Sequence, residues 1–187
     1  MSESVAQDSR EWVGSLYRHG VTTQSYAPKR RVEGVQIVDL QLFSDEGGDF
    51  CEVTRFLSDG TLSPLPGFRP AQISYSFMEP GTIKAWHLHR RQDDLWFVPP
   101  SPRLLVGLLD VREDSPTYQI SMRLALGTGR ARLLYIPKGV AHGVANLATH
   151  SASLIYFVDR PFDPDEPDEH RLPYDLLGAE FWTIQPG

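Results

Sequence analysis

The chain has 187 residues, with 18 Lys and Arg against 24 Asp and Glu and a formal net charge of -6. That length suits one domain, or one domain with an arm, and is enough to bury a core without staples. One cysteine, Cys51, excludes an internal disulfide scaffold and a thiolate metal cluster, and an acidic chain with no basic run argues against an extended nucleic-acid surface.

The first residues, "MSESVAQDSREW", lack the apolar core of a signal peptide, and no later segment approaches the roughly 18 apolar residues of a membrane span. The expectation is a cytoplasmic protein with no membrane partner. Asp8 with Glu11 reads as a capping box, and Trp12, Val13, Leu16 and Tyr17 are spaced for one helical face, which predicts a short N-terminal helix within an arm over residues 1–33.

From residue 34 the period shortens to that of strands. Val35, Ile37, Leu40 and Leu42 come first, then "EVTRFL", "QISYSF", "IKAWHLH", "LWFV", "RLLVGLLDV", "SMRLAL", "RLLYIP" and "SASLIYFVD". Gly and Pro, 15 each, punctuate these runs and do not gather in one linker, so the predicted class is all-β, a sandwich-like barrel over residues 34–187. Several runs are apolar on both faces, which predicts one face toward an interior and the other covered by a second sheet or a partner subunit. The segment from Arg160 to Pro173, rich in Pro, Asp and Glu, is predicted to be an exposed loop, with the acidic run Asp163 to Glu169 solvated. The aromatic segment after it, "YDLLGAEFW", is predicted to pack back on the barrel.

Two stretches carry the chemistry. In "GTIKAWHLHRRQD", from Gly81 to Asp93, His87 and His89 stand two apart on a strand and share a face. In "PKGVAHGVAN", from Pro137 to Asn146, His142 follows a turn. Gly, five residues, His-x-His and an acid, followed later by Pro-x-Gly-x-x-His and Asn, resembles the two-part pattern of cupin barrels, which implies a jelly-roll-like fold.

Within the cupins the chain resembles the dTDP-4-dehydrorhamnose 3,5-epimerase family over roughly residues 34 to 182. "GVQIVDLQLFSDEGGDFCE" resembles its opening strand and "DERGxFxE" turn, and "GTIKAWH" its "GVxRGLH". "LLDVREDSPTY" resembles "VDxRxxSPTF", and "IPKGVAHGVANL" resembles "IPxGFAHGFxxL". The resemblance implies a homodimer acting on a nucleotide sugar, by proton exchange beside the C4 ketone of a dTDP-4-keto-6-deoxy sugar, without a metal or redox cofactor. It places His87 on the catalytic base, Tyr156 on the catalytic acid, Lys84 on an Arg near the substrate and His142 on the second pocket His. Asp110 falls on the Asp of the "VDxR" strand, and Gln72, Phe50 and Glu52 on positions that meet the sugar nucleotide; His89 stands where the family has Gln and is a pocket hydrogen bonder, a metal ligand or a surface residue.

These residue types suit the reaction. A carbon acid beside a ketone needs a base neutral near pH 7, and His titrates near about 6.5. A Tyr phenol can return a proton from the other face, and a Lys can meet the enolate oxygen. Strict alternation places Lys84 opposite His87, so it shares the pocket only if the strand is bulged.

Three departures stand out. Gly47 replaces an Arg and Asp94 a Lys, both directed at phosphate, which leaves Arg55, Arg90, Arg91 and Lys138 as candidate substitutes. The family's Asp beyond the last Trp, which orients the base, is absent, so Asp110 or Asp175 is expected to orient His87. Two rival readings remain: a metal-dependent cupin with Fe, Mn or Zn held by His87, His89, His142 and Asp93, and a non-catalytic sugar-binding cupin.

Overall fold

The computed structural model describes residues 12–27, 30–100 and 102–185. Two five-stranded antiparallel sheets face each other. The first runs, in spatial order, β1 (Gln36–Asp39), β9 (Arg132–Ile136), β6 (Asp94–Phe97), β11 (Ala152–Val158), β4 (Gln72–Met78). The second runs β12 (His170–Arg171), β5 (Ile83–Leu88), β10 (Val140–Ala145), β7 (Arg103–Asp110), β8 (Ser121–Gly127). A separate hairpin pairs β2 (Leu42–Ser44) with β3 (Asp49–Cys51). The predicted all-β, cupin-like architecture is what the chain adopts.

The helix predicted at the N-terminus is a 3-10 turn over Ser15–Gly20. Trp12, Leu16 and Tyr17 are 81, 71 and 68 % exposed, so the apolar stripe buries nothing and tertiary packing does not support a longer helix. The capping residues Asp8 and Glu11 lie outside the described residues. No helix among the described residues is long and apolar enough to cross a membrane.

The doubly apolar strands are explained by three packing layers. Inward side chains, among them Trp96, Leu104, Val106, Leu108, Leu134 and Val144, fill the space between the sheets. The outer face of the first sheet, through Leu95, Phe97, Leu133 and Phe157, is covered by Leu62, Leu65 and Phe68 from the loop before β4. The outer face of the second sheet, through Trp86, Leu109, Ala141 and Ala145, is covered by Phe181 and Trp182. The chain thus covers most of both outer faces itself. The exception is edge strand β4, whose Ile73, Tyr75 and Phe77 are 55, 64 and 50 % exposed.

Two glycines admit the aromatic plate. A Cβ on Gly107 of β7 would sit 2.6 Å from both Phe181 and Trp182, and one on Gly143 of β10 would sit 2.4 Å from the Cβ of Ala85. No larger side chain fits without moving the plate or the neighbouring strand.

Candidate active site

Alternation along the strands decides what faces the interior. On β10, Val140, His142 and Val144 point inward, while Ala141 and Ala145 join the outer aromatic cluster. On β6, Asp94 and Trp96 point inward and Leu95 and Phe97 outward. On β11, Leu154 and Tyr156 face in. A cavity of about 520 Å³ opens between the sheets, with His87, His89, Lys84 and His142 on one wall and Asp94, Tyr156 and Leu154 on the other.

Lys84 reaches this cavity because β5 is irregular. His142 pairs with His87, yet Val144 pairs with Lys84, so two steps on β10 span three on β5. The extra residue is absorbed at Ala85 and Trp86, which both face the outer cluster, and the inward positions become Lys84, His87 and His89. Lys84 Nζ donates to Ser76 Oγ at 2.7 Å, across to the opposite sheet.

His87 is held at both nitrogens. Its Nδ1 lies 2.5 Å from Glu169 Oε1, and its Nε2 lies 3.0 Å from Arg171 Nη1. A guanidinium only donates, so Nε2 is the acceptor and the Nδ1 hydrogen goes to the carboxylate. Burial raises the Glu169 carboxyl, but the hydrogen bond with His87 and the electrostatic pull of His87, His89 and Arg171 together outweigh it and hold the carboxyl below its ordinary value.

The carboxylate that meets His87 is therefore Glu169, where the sequence expectation had placed Asp110 or Asp175. Asp110 is fully buried in another cluster, where it accepts from Arg112 Nε, Ser115 Oγ and Thr117 Oγ1 at 2.8, 2.5 and 2.6 Å. It braces the "SPTY" turn and does not line the cavity, contrary to its predicted substrate role. Asp175 lies in the turn after β12 and likewise does not line the cavity.

The segment from Arg160 to Pro173 is largely an exposed loop, as expected, but the solvated reading of its acidic run fails at the last two residues, Asp168 and Glu169. Asp168 accepts backbone N–H bonds from Arg90, Arg91 and Gln92 at 3.0, 2.6 and 3.1 Å. Burial raises its carboxyl, but these donors outweigh burial and hold it below the ordinary value. This clamp seats the segment against the end of β5, delivers Glu169 to His87 and starts the pairing of β12 with β5. Composition hid this, because a Pro- and acid-rich stretch reads as solvated unless its partners are known.

His142, 3 % exposed, donates from Nδ1 to the Val140 carbonyl at 3.0 Å. Burial pushes its pKa down to about 4 against the pull of Asp94, with His89 acting in the same direction as burial. His89, 6 % exposed, has Nδ1 2.5 Å from the Asp168 carbonyl, which removes the surface reading for it.

Asp93, proposed from spacing as a metal ligand, points away from the cavity. Its carboxylate accepts from Tyr135 Oη and the Lys138 N–H, both at 2.8 Å. The inward acid is Asp94, which accepts from Gln92 Nε2 at 2.8 Å and Trp96 Nε1 at 3.0 Å. Alternation with Leu95 and Phe97 was the signal that could have found it.

The remaining predicted residues lie apart. Gln72 accepts the Phe162 N–H at 2.8 Å, so it positions a cavity-lining residue without lining the cavity itself. Phe50 and Glu52 line a separate groove beside Phe43, and Glu52 is paired there with Arg55 at 2.7 Å. Arg91 is paired with Glu166 at 2.8 Å. Beside Lys84 the cavity carries a second cation, Arg171, which the sequence reading did not single out.

A two-sheet β-sandwich with a His- and carboxylate-lined cavity between its sheets is the arrangement of a cupin-like enzyme. The chain belongs to the dTDP-4-dehydrorhamnose 3,5-epimerase family of isomerases, whose model matches residues 29–177. It is 42 % identical over 144 residues to the spore coat polysaccharide biosynthesis protein SpsL of Bacillus subtilis, covering 77 % of this chain and 91 % of that one. It is 33 % identical to the "Probable low-salt glycan biosynthesis epimerase Agl13" of Haloferax volcanii, covering 77 and 89 %. A solved dTDP sugar isomerase of Desulfovibrio desulfuricans superimposes with a TM-score of 0.67 at 31 % identity, covering 82 % of this chain and 91 % of that one.

Proposed function

We propose that the chain epimerises a dTDP-4-keto-6-deoxy sugar at carbon 3, carbon 5 or both. Inversion requires a base and an acid on opposite faces of the sugar ring, and one observation carries the reading: His87 and Tyr156 line one cavity from opposed sheets. His87 Nε2 takes the proton from the carbon next to the ketone, and the C–H electron pair moves into an enolate. Glu169, behind Nδ1, stabilises the resulting imidazolium. The Tyr156 phenol returns a proton from the other face, and the two side chains then re-equilibrate with solvent. Lys84, on the His87 wall, supplies positive charge for the enolate oxygen. The proton balance closes on these two side chains, so the step requires no redox cofactor.

Arg171 hydrogen-bonds Nε2 and must leave it when substrate enters; its side chain is 58 % exposed, which allows that movement. At the cavity it is the cation suited to the substrate diphosphate, in place of those that Gly47 and Asp94 do not supply. The exposed row Ile73, Tyr75 and Phe77 on β4 suits the interface of a homodimer, which the mass in solution would test. The reaction itself is tested by incubating the enzyme with a dTDP-4-keto-6-deoxy sugar in deuterium oxide. Deuterium at carbon 3 or 5, absent with His87→Asn, is expected, and no incorporation at high enzyme concentration would overturn the reading.

A further inference from the structure

Three groups that the proposed proton exchange does not use converge inside the cavity. His89 Nε2 lies 3.8 Å from Asp94 Oδ1, and His142 Nε2 lies 3.7 Å from Asp94 Oδ2. One ligand atom from each lies within 4.8 Å of the others, and all three residues are buried.

Each is already oriented by its other atoms. His89 and His142 both direct Nδ1 at a backbone carbonyl, of Asp168 and Val140, at 2.5 and 3.0 Å. A carbonyl only accepts, so Nδ1 carries the hydrogen on each ring and Nε2 is the nitrogen left facing Asp94, with His89 Nε2 also 3.9 Å from Glu169 Oε2. Asp94 is fixed by Gln92 and Trp96, one donor to each oxygen. Two imidazole Nε2 atoms and a carboxylate therefore face one another at separations too long for hydrogen bonds. Within ion-pair distance of the Asp94 carboxylate, among the described residues, stand these two histidines and no Lys or Arg. Buried polar atoms that make no hydrogen bond to one another are costly, and a cation held between them would satisfy all three.

We propose that His89, Asp94 and His142 bind a divalent first-row metal ion of the zinc, iron(II) or manganese(II) class. Two imidazole nitrogens and one carboxylate oxygen suit those ions, and hydrogen-bonded outer partners on every ligand are what such sites carry. Bond lengths of about 2.0–2.2 Å set donor atoms roughly 3.0–3.4 Å apart, so each histidine and Asp94 close by some tenths of an ångström around an ion. The open positions face the same cavity as His87 and Tyr156, where an oxygen of a bound ligand or water completes the shell. The sequence spacing had offered His87 and Asp93 as further ligands; His87 is committed to Glu169 and Arg171, and Asp93 points elsewhere.

The test uses untagged protein stripped with a chelator and titrated with cobalt(II) and zinc(II). The readouts are cobalt absorption bands, metal per chain by mass spectrometry and the melting temperature. One ion per chain is expected, with a raised melting temperature. Asp94→Asn and His89→Gln should each weaken binding about 10–100-fold or more, whereas His87→Asn should leave it intact. A wild-type protein that shows neither cobalt bands nor a shifted melting temperature at hundredfold metal excess would overturn the site, and so would unchanged affinity in folded Asp94→Asn. Metal binding without deuterium exchange would remove the epimerase reading and leave the metal site standing; exchange without metal binding would do the reverse.

Discussion

His87 and Glu169 meet at 2.5 Å although 82 residues separate them, because the clamp at Asp168 folds the acidic segment back onto the end of β5. The pair couples the proposed base to the segment that leads into the short edge strand β12.

Glu169→Gln keeps the shape of the side chain and removes the charge that stabilises an imidazolium. The expected result is a kcat about 10–100-fold lower with KM little changed, since Glu169 acts through His87. Asp175→Asn, outside the cavity, should leave both constants unmoved. Equal losses in the two variants would separate Glu169 from the chemistry.

Tyr156→Phe should divide the reaction into its halves. His87 can still remove a proton and return a solvent deuteron to the same face, so label should enter the sugar while inverted product falls by about 100-fold or more. Chromatography of the product beside mass analysis reads both. Loss of label together with inversion would mean that Tyr156 is needed before proton removal.

Arg171→Gln is expected to raise KM by about 10–100-fold, the loss of one charge-assisted contact worth roughly 1.5–3 kcal/mol, if this cation meets the diphosphate. A thymidine diphosphate titration should show the same weakening in the absence of a sugar. Unchanged nucleotide affinity would assign Arg171 to holding His87 alone.

The sandwich, and the inward histidines His87 and His89 at the end of β5, were legible because strand alternation and motif spacing are local. Lys84 was legible only as a conditional: its sharing of a face with His87 depended on a bulge, and the register of β5 against β10 carries one. Asp94 was hidden by attention to Asp93, one residue away and on the other face. Glu169 was hidden for a different reason. Its partner lies on another strand, and the three backbone donors that hold the neighbouring Asp168 leave no trace in composition. The N-terminal turn shows the converse, an amphipathic pattern with no surface beneath it.

Gly143→Ala should destabilise the barrel by about 1–3 kcal/mol, because the added methyl meets Ala85 at 2.4 Å and Trp182 at 2.9 Å. Urea denaturation measures it. His142 precedes this glycine, so reduced activity at temperatures where the variant remains folded would show that the aromatic plate also sets the position of the cavity wall.

Asp110 gives the acid dependence of the fold. Burial raises its carboxyl, but bonds from Arg112, Ser115 and Thr117 outweigh burial and hold it well below the ordinary carboxylate value. An unfolded chain therefore binds this proton more readily than the folded one between the unfolded pKa, about 3.9, and the lower folded value. The stability it contributes is fully present above that window and is lost as pH falls through it. Asp110→Asn should cost on the order of 2–4 kcal/mol at pH 7, with Arg112 left unpaired beside a buried amide. The gap between wild type and variant should narrow in urea melts taken from pH 5 down to pH 2. An equal gap at pH 7 and at pH 2 would show that Asp110 stabilises the turn through shape and not through its charge.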